Sequence, residues 1–136
     1  MTFLLDTHIL LFWFSRDLIL TAAESRIVNN ASRENPLLVS GISLWEIATL
    51  HKLGRITLGI PLRDWLERAV APPLVRLIGI SPAIAASVAA LPESFHRDPA
   101  DRIIVASAQI TGAIIVTRDR RIIESGIVET SANLHR

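Results

Sequence analysis

Short all-apolar runs alternate along the chain with longer stretches in which apolar side chains recur at helical spacing. The short runs predict strands buried on both faces at residues 3–5, 37–42, 74–80 and 113–117. The longer stretches predict helices at residues 9–14, 21–33, 44–53, 61–70, 82–91 and 99–111. This alternation predicts an α/β fold with a short, mostly parallel central sheet flanked by helices.

Capping residues, proline and glycine mark several of the predicted boundaries. Thr21 is a candidate N-cap, Pro36 ends the helix that Thr21 begins, and Gly54 stands just past a helix C-terminus. The pattern after Asp119 is ambiguous and predicts at most a short edge strand at residues 127–128. Because no repeat or long linker divides the 136 residues, we expect a single domain over residues 1–136.

Composition narrows the function classes. Half of the residues are apolar and the formal charge is +1, which excludes a disordered chain and a strongly basic coat for nucleic acid. The absence of cysteine excludes disulfides, thiolate metal sites and cysteine nucleophiles. The sequence shows neither a targeting segment nor an apolar run of the ~20 residues that span a bilayer, so we expect a cytoplasmic protein with no membrane partner.

Four carboxylates stand where a parallel sheet would gather them. Asp6 follows the first strand, Glu46 is placed in the first turn of the helix after the second strand, and Asp119 lies two residues past the fourth strand. Ligands bind outside the carboxyl ends of parallel strands. Helix 99–111 meets the fourth strand through Gly112 alone and must run antiparallel to it, so Asp101 is expected at the same edge.

Helix capping is an alternative explanation for most of these acids. Residues 43–46 (SLWE) match a capping box, in which Ser43 and Glu46 would bond the first turn. Asp98 is expected mainly to cap the helix that Asp101 enters, and Asp119 fits a turn. For Glu46 and Asp101 capping and a functional role stay equally open.

Asp6 is harder to explain by capping, because it lies between an apolar strand and an apolar helix. A buried carboxylate needs a cation or a set of hydrogen bonds, and several together repel one another unless a cation neutralises them. A metal site explains all four acids at once. Oxygen ligands without cysteine or paired histidine select Mg²⁺ or Mn²⁺, which activates a water for attack on phosphodiesters. Arginines near the last two acids would hold a polyanion or form surface ion pairs: Arg97, Arg102, Arg118, Arg120 and Arg121.

Four segments carry a resemblance to a known family: residues 4–8 (LLDTH), 43–47 (SLWEI), 96–102 (HRDPADR) and 116–119 (VTRD). In this order and over essentially the whole chain they resemble the motifs of PIN-domain proteins. More narrowly, they resemble the VapC-type toxins of bacterial toxin–antitoxin pairs.

The resemblance implies a Mg²⁺- or Mn²⁺-dependent endoribonuclease that a cognate antitoxin inhibits by wrapping its C-terminal segment over the site. It also implies a homodimer. Matched by motif, the core acidic ligands are Asp6, Glu46 and Asp101, and Asp119 is a fourth, more variable acid. Polar positions beside these acids are matched by Thr7, Ser43 and Thr117. Asp101 rather than Asp98 aligns with the family's aspartate, and whether Asp98 shares its role stays open.

Two other classes of function remain as alternatives. An acid-site phosphotransfer domain would need a lysine after a late strand or a second aspartate two residues after the first, but the single lysine is Lys52 and residue 8 is histidine. A non-catalytic module would bind RNA or protein at the same edge.

The three tryptophans lie on apolar helical stretches: Trp13, Trp45 and Trp65. At least two of them are expected in the core, and one or more is a candidate to line a groove for a partner helix.

Overall fold

The computed structural model describes residues 1–15 and 19–135, with the side chain of residue 135 left aside. Within these residues the chain forms four strands, seven α-helices and a 3₁₀ helix. The strands are β1 (Phe3–Leu5), β2 (Leu37–Ser40), β3 (Val75–Ile78) and β4 (Ile114–Val116). The helices are α1 (Thr7–Trp13), α2 (Ala22–Asn29), α3 (Gly41–Lys52), α4 (Leu62–Ala69), α5 (Pro82–Ala90), α6 (Pro99–Thr111), α7 (Arg120–Ser125) and the 3₁₀ helix Ser131–His135.

The four strands form one parallel sheet in the order β3-β2-β1-β4. Leu4 pairs in register with Leu38 on one side and with Ile115 on the other. The chain therefore leaves β1 toward one side of the sheet and returns to its other side with β4. A crevice opens at such a switch point, outside the carboxyl ends of the strands. The predicted α/β fold with a parallel sheet is confirmed.

Apolar cores cover both faces of the sheet, as the all-apolar strands predict. Leu5 and Val116 face one core, which includes side chains from α1, α3 and α4. Leu4 and Ile115 face the other core, to which α6 contributes Ile104 and Val105. Neighbouring residues on a strand point to opposite faces, so each short strand contributes to both cores.

The start of α3 corrects two predictions. The second strand ends at Ser40 instead of continuing to residue 42, and α3 begins at Gly41 instead of residue 44. The reason is local, because the Ser40 hydroxyl caps α3 by accepting a hydrogen bond from the Ile42 amide at 3.2 Å. The capping box, offered as the alternative explanation for Ser43 and Glu46, is therefore wrong, and Glu46 lies in the second turn of the helix.

Other boundaries differ by a few residues. The helix predicted at 9–14 begins at Thr7, because Asp6 caps it, and the helix predicted at 21–33 ends at Asn29. The third and fourth strands are shorter than predicted, covering residues 75–78 and 114–116. The edge strand predicted at residues 127–128 is wrong. Instead, an isolated bridge joins Thr130 to Ile115, while residues 127 and 128 pack partly buried against the second core.

The prediction for α6 is confirmed in its bounds and in its caps. Asp98 accepts a hydrogen bond from the Asp101 amide at 3.1 Å, and Pro99 takes the first position of the helix. Gly112 ends the helix with a φ of 72°, a left-handed conformation that glycine adopts without strain. This tight end returns the chain directly into β4.

The tryptophans divide between core and surface. Trp65 is buried, and Trp13 packs partly buried against the same core. Trp45 on α3 is 62% exposed, so its side chain is available to a partner.

In the part of the chain that the structure describes, no helix has both the length and the apolar character needed to cross a membrane.

Candidate active site at the carboxyl edge of the sheet

Asp6 is held at the end of β1 by hydrogen bonds to two threonines. One carboxylate oxygen accepts from the Thr7 amide at 2.8 Å, and the other accepts from the Thr117 hydroxyl at 2.6 Å. Only 4% of Asp6 is exposed. Burial raises the pKa of Asp6, and the two hydrogen bonds oppose that rise. Asp6 is thus a buried, firmly oriented acid, as its apolar flanks predict.

Thr7 links Asp6 to the acid on α3. Its hydroxyl lies 2.8 Å from that of Ser43, and both residues are fully buried. Burial raises the pKa of Glu46, a hydrogen bond with Thr7 lowers it, and the charge of Asp6 raises it further. Ser43 and Glu46 stand three residues apart on α3, which places their side chains on one face of the helix.

Asp101 enters the same edge from the first turn of α6. It is buried, and desolvation is the largest cause that raises its pKa to about 7. The negative charges that add to this rise are those of Asp6, Asp98, Asp119 and Glu46. These acids therefore interact electrostatically across elements that are far apart in the chain. The structure brings together the four acids that the sequence places at this edge.

Asp119 caps α7 and is already paired with an arginine. Its carboxylate accepts from the Arg121 amide at 2.8 Å and lies 3.1 Å from the Arg121 guanidinium. The same guanidinium stands 3.7 Å from Asp101. Burial raises the pKa of Asp119, but the hydrogen bonds from Arg121 outweigh it and leave that pKa below its usual value. Arg121 therefore offsets part of the negative charge at this edge.

Two residues that the sequence did not single out also contact the site. His96 places Nε2 3.2 Å from a carboxylate oxygen of Asp101, at ion-pair distance but without hydrogen-bond alignment. Ser131, from the C-terminal 3₁₀ helix, accepts from the Thr117 amide at 3.3 Å. His96 lies inside the motif at residues 96–102, so the sequence did point to this segment as part of the site. Ser131 gave none, because its contact depends on how the C-terminal segment returns to β4.

The five candidate arginines differ in their surroundings. Arg102 donates to the backbone carbonyls of three residues, including Phe95 at 2.7 Å. Arg118 pairs with Glu24, and Arg120 pairs with Glu124 one turn further along α7. Arg121 points at the acids. Arg97 is exposed and makes no ion pair within the described residues. The guanidinium groups of Arg102 and Arg118 thus bind partners within the protein.

The donor set suits a hard divalent cation, although the side chains are not yet arranged around one. Asp6, Glu46, Asp101 and Asp119 offer carboxylate oxygens, the ligands that Mg²⁺ and Mn²⁺ prefer. Burial is the largest cause of the raised pKa of Asp101, the charges of the neighbouring acids add to it, and a cation would relieve that repulsion. Yet among residues 1–15 and 19–135 no three His, Asp or Glu side chains form a cluster able to hold an ion as they stand. The predicted metal centre is therefore not preformed.

Comparison with known proteins shows the family and the fold. The sequence model of the PIN domain matches residues 3–126. Ribonuclease VapC22 of Mycobacterium tuberculosis is 41% identical over 121 residues, which cover 89% of each chain. A structure of VapBC2 from Rickettsia felis bound to a DNA fragment from their promoter aligns with a TM-score of 0.71 at 14% identity, over 96% of this chain and 97% of that one. A toxin–antitoxin complex from Klebsiella pneumoniae aligns with a TM-score of 0.65 at 23% identity, over 96% and 98%.

Proposed function

Because this chain belongs to the PIN-domain family, we propose that it is a metal-dependent endoribonuclease and the toxin of a toxin–antitoxin pair. The observation that carries the proposal is the meeting of four acids, from four separate segments, at the switch point of the sheet. The ribonuclease named above, similar along 89% of both chains, supports cleavage of RNA as the reaction.

In this proposal, the oxygens of Asp6, Glu46, Asp101 and Asp119 hold Mg²⁺ or Mn²⁺. Such an ion would supply polarisation of a phosphate oxygen and activation of a water for attack on the phosphodiester. The side chains around the acids hold them in place through hydrogen bonds. Thr7 and Thr117 orient Asp6, while Ser43 supports Thr7.

The basic residues nearest to the acids would contact the RNA backbone. The Arg121 guanidinium lies between Asp119 and Asp101. An RNA phosphate bound beside these acids would therefore be within reach of its positive charge. Arg97 and Arg120 are exposed near the same edge. Arginine suits this role because its guanidinium binds phosphate through two hydrogen bonds.

An antitoxin and a second copy of the chain are the protein partners that we propose. Of the two solved structures described above, one is a toxin–antitoxin complex by name and the other is of VapBC2 bound to promoter DNA, which supports an antitoxin partner here. Large apolar side chains remain exposed on α3 and at the end of α1, including Trp45 and Phe14. Light scattering of the purified chain tests the homodimer, since a monomeric mass at micromolar concentration contradicts it.

Cleavage of a defined RNA tests the proposed reaction. The wild-type protein should cut the RNA with Mg²⁺ or Mn²⁺ and lose that activity in EDTA. Asp101→Asn removes one ligand charge and should reduce the rate by about a hundredfold or more, since outer-shell changes alone cost up to about that much. Asp64→Asn, at an exposed acid on α4, is the matched control and should cleave normally. Equal rates for Asp101→Asn and the wild type would refute the proposal.

A further inference from the structure

Arg118 stands between two site residues but turns its side chain away from the acids. Its Nε donates to Glu24 Oε2 at 2.9 Å, and its Nη2 donates to the other oxygen of the same carboxylate. Nη2 also donates to the Ile19 carbonyl at 3.0 Å. The guanidinium lies over the Phe12 ring, 4.5 Å from its centroid. Arg118 thus ties the end of β4 to α1, to α2 and to the connection between them.

Glu24 makes this contact stronger than an ordinary surface ion pair. Its side chain is 8% exposed, against 44% for that of Arg118. The carboxylate also accepts from the Thr21 amide at 2.8 Å and so closes the capping box at the start of α2. The hydrogen bonds from Arg118 lower the pKa of Glu24, so the carboxylate stays charged. A bidentate pair with one buried partner has a fixed geometry, which isolated exposed pairs lack.

The neighbours of Arg118 are the residues that contact Asp6 and cap α7. Thr117 donates to Asp6 Oδ2 at 2.6 Å and accepts from the Asp119 amide at 3.0 Å. A backbone anchored at residue 118 therefore fixes both of its neighbours. We infer that Arg118, through its pair with Glu24, is a positioning residue that sets the orientation of Thr117 and Asp119 toward Asp6. This inference rests on the proposed function.

A direct contact between Arg118 and RNA is the competing role, and the two roles make different predictions. A phosphate contact acts through binding, so its loss raises KM and weakens the dependence on salt. A positioning residue acts on the geometry of the acids, so its loss lowers kcat. A change at Glu24 also distinguishes the two roles of Arg118, because a negatively charged side chain does not bind RNA phosphates.

The experiment uses three test variants: Glu24→Gln, Arg118→Met and the double variant that combines these two changes. The control is Arg63→Met, which breaks the exposed pair of Arg63 and Glu67 on α4. Each protein is assayed for kcat, for KM and, by calorimetry, for its affinity for Mn²⁺ alone. Glu24→Gln and Arg118→Met should each lower kcat by about tenfold, in keeping with the cost of small misplacements, and leave KM nearly unchanged. The double variant should be no worse than either single one, and Arg63→Met should match the wild type.

The Mn²⁺ affinity should fall in parallel with kcat in both single variants. If Glu24→Gln keeps the wild-type kcat and affinity while Arg118→Met raises KM, the inference is overturned in favour of an RNA contact. If the wild type cleaves no RNA, the proposed function fails, and the Mn²⁺ affinities alone still decide the positioning role. Arg118→Lys, which keeps the charge but not the bidentate geometry, replaces Arg118→Met if that variant does not fold.

Discussion

Asp6 illustrates how far single residues can be predicted. Its position between apolar segments predicts a buried acid, and the structure confirms the burial. The family resemblance places Thr7 and Thr117 beside the acids, but composition and periodicity alone do not give the bond from Thr117, which lies 111 positions away and contacts Asp6 only through the pairing of β1 with β4. The contact of Ser131 was missed because it depends on how the C-terminal segment returns to β4. The contact of His96 with Asp101 lies within the motif at residues 96–102 and was open to prediction. Glu46 was predicted one turn too early, because the apolar run at residues 37–42 suggests a longer strand. The Ser40 hydroxyl instead caps the helix, so that the helix begins at Gly41.

Thr117→Val should destabilise the protein through Asp6. The change removes the donor to a buried carboxylate and the acceptor for the Asp119 amide. Leaving buried polar groups without partners costs about 1–3 kcal/mol, which urea unfolding measures directly. Thr117→Ser keeps the hydroxyl and should retain most of the stability. Equal losses for the two variants would show that packing of the methyl group, and not the hydrogen bond, is what matters.

Asp101 should make the ion-free protein less stable as the pH rises. Its folded pKa of about 7 lies above its ordinary value of 3.8, so between those two values the folded protein holds a proton that the unfolded chain has lost. The stability that this proton contributes is present at low pH and is lost as the pH rises through about 7.

Asp101→Asn removes this penalty. In EDTA we expect the variant to be more stable than the wild type at pH 8, by about 1–2 kcal/mol after allowance for partial contact with solvent. At pH 5 the two proteins should differ much less. Urea unfolding at both pH values provides the measurement, with Asp64→Asn as control. A wild type that gains stability relative to Asp101→Asn between pH 5 and 8 contradicts the electrostatic description of the site.

At the scale of elements, the connection from α6 to β4 was predictable because both of its ends carry strong local signals. Asp98 and Pro99 begin the helix, and Gly112 ends it next to an apolar strand. The two-residue connection of Gly112 and Ala113 leaves the helix no direction but antiparallel to the strand, which places Asp101 at the carboxyl edge of the sheet. The prediction of an edge strand at residues 127–128 was wrong, because two apolar residues pack against a core equally well outside a strand.

Gly112→Ala tests this connection. At a φ of 72° an alanine is strained, so we expect a loss of about 1–2 kcal/mol in the free energy of unfolding. Gly79→Ala is the matched control, because Gly79 has no positive φ and an added Cβ there meets nothing within 4 Å. Thermal and urea unfolding of both variants provide the comparison. A neutral Gly112→Ala would mean that the end of α6 readily adopts another conformation.

At the scale of the whole molecule, sheet order determines where the chemistry is placed. The order β3-β2-β1-β4 makes β1 and β4 neighbours, and this brings the acids that follow them together. The energetic cost of that arrangement is the burial of the acids and the repulsion among them, and both keep the pKa of Asp101 raised although Arg121 lowers that of Asp119. A fold that concentrates negative charge in this way gains stability from a bound cation.

Excess Mn²⁺ should therefore raise the thermal midpoint of the wild-type protein. A ligand that binds only the folded state stabilises it by about 2.7 kcal/mol at a concentration of a hundred times its Kd. Asp101→Asn should show a much smaller rise, and Asp64→Asn should show the full one. Scanning calorimetry with and without Mn²⁺ measures the shift. An equal rise in Asp101→Asn would place the binding elsewhere on the molecule.

Anomalous diffraction from a crystal soaked in Mn²⁺ locates the ion without reference to activity, and so shows whether the four acids bind it. We expect an anomalous peak at the carboxyl edge of the sheet, within ligand distance of Asp6 and Asp101, with Arg121 moved off Asp101. A well-occupied peak only at other sites, with Arg121 still against these acids, would contradict this expectation.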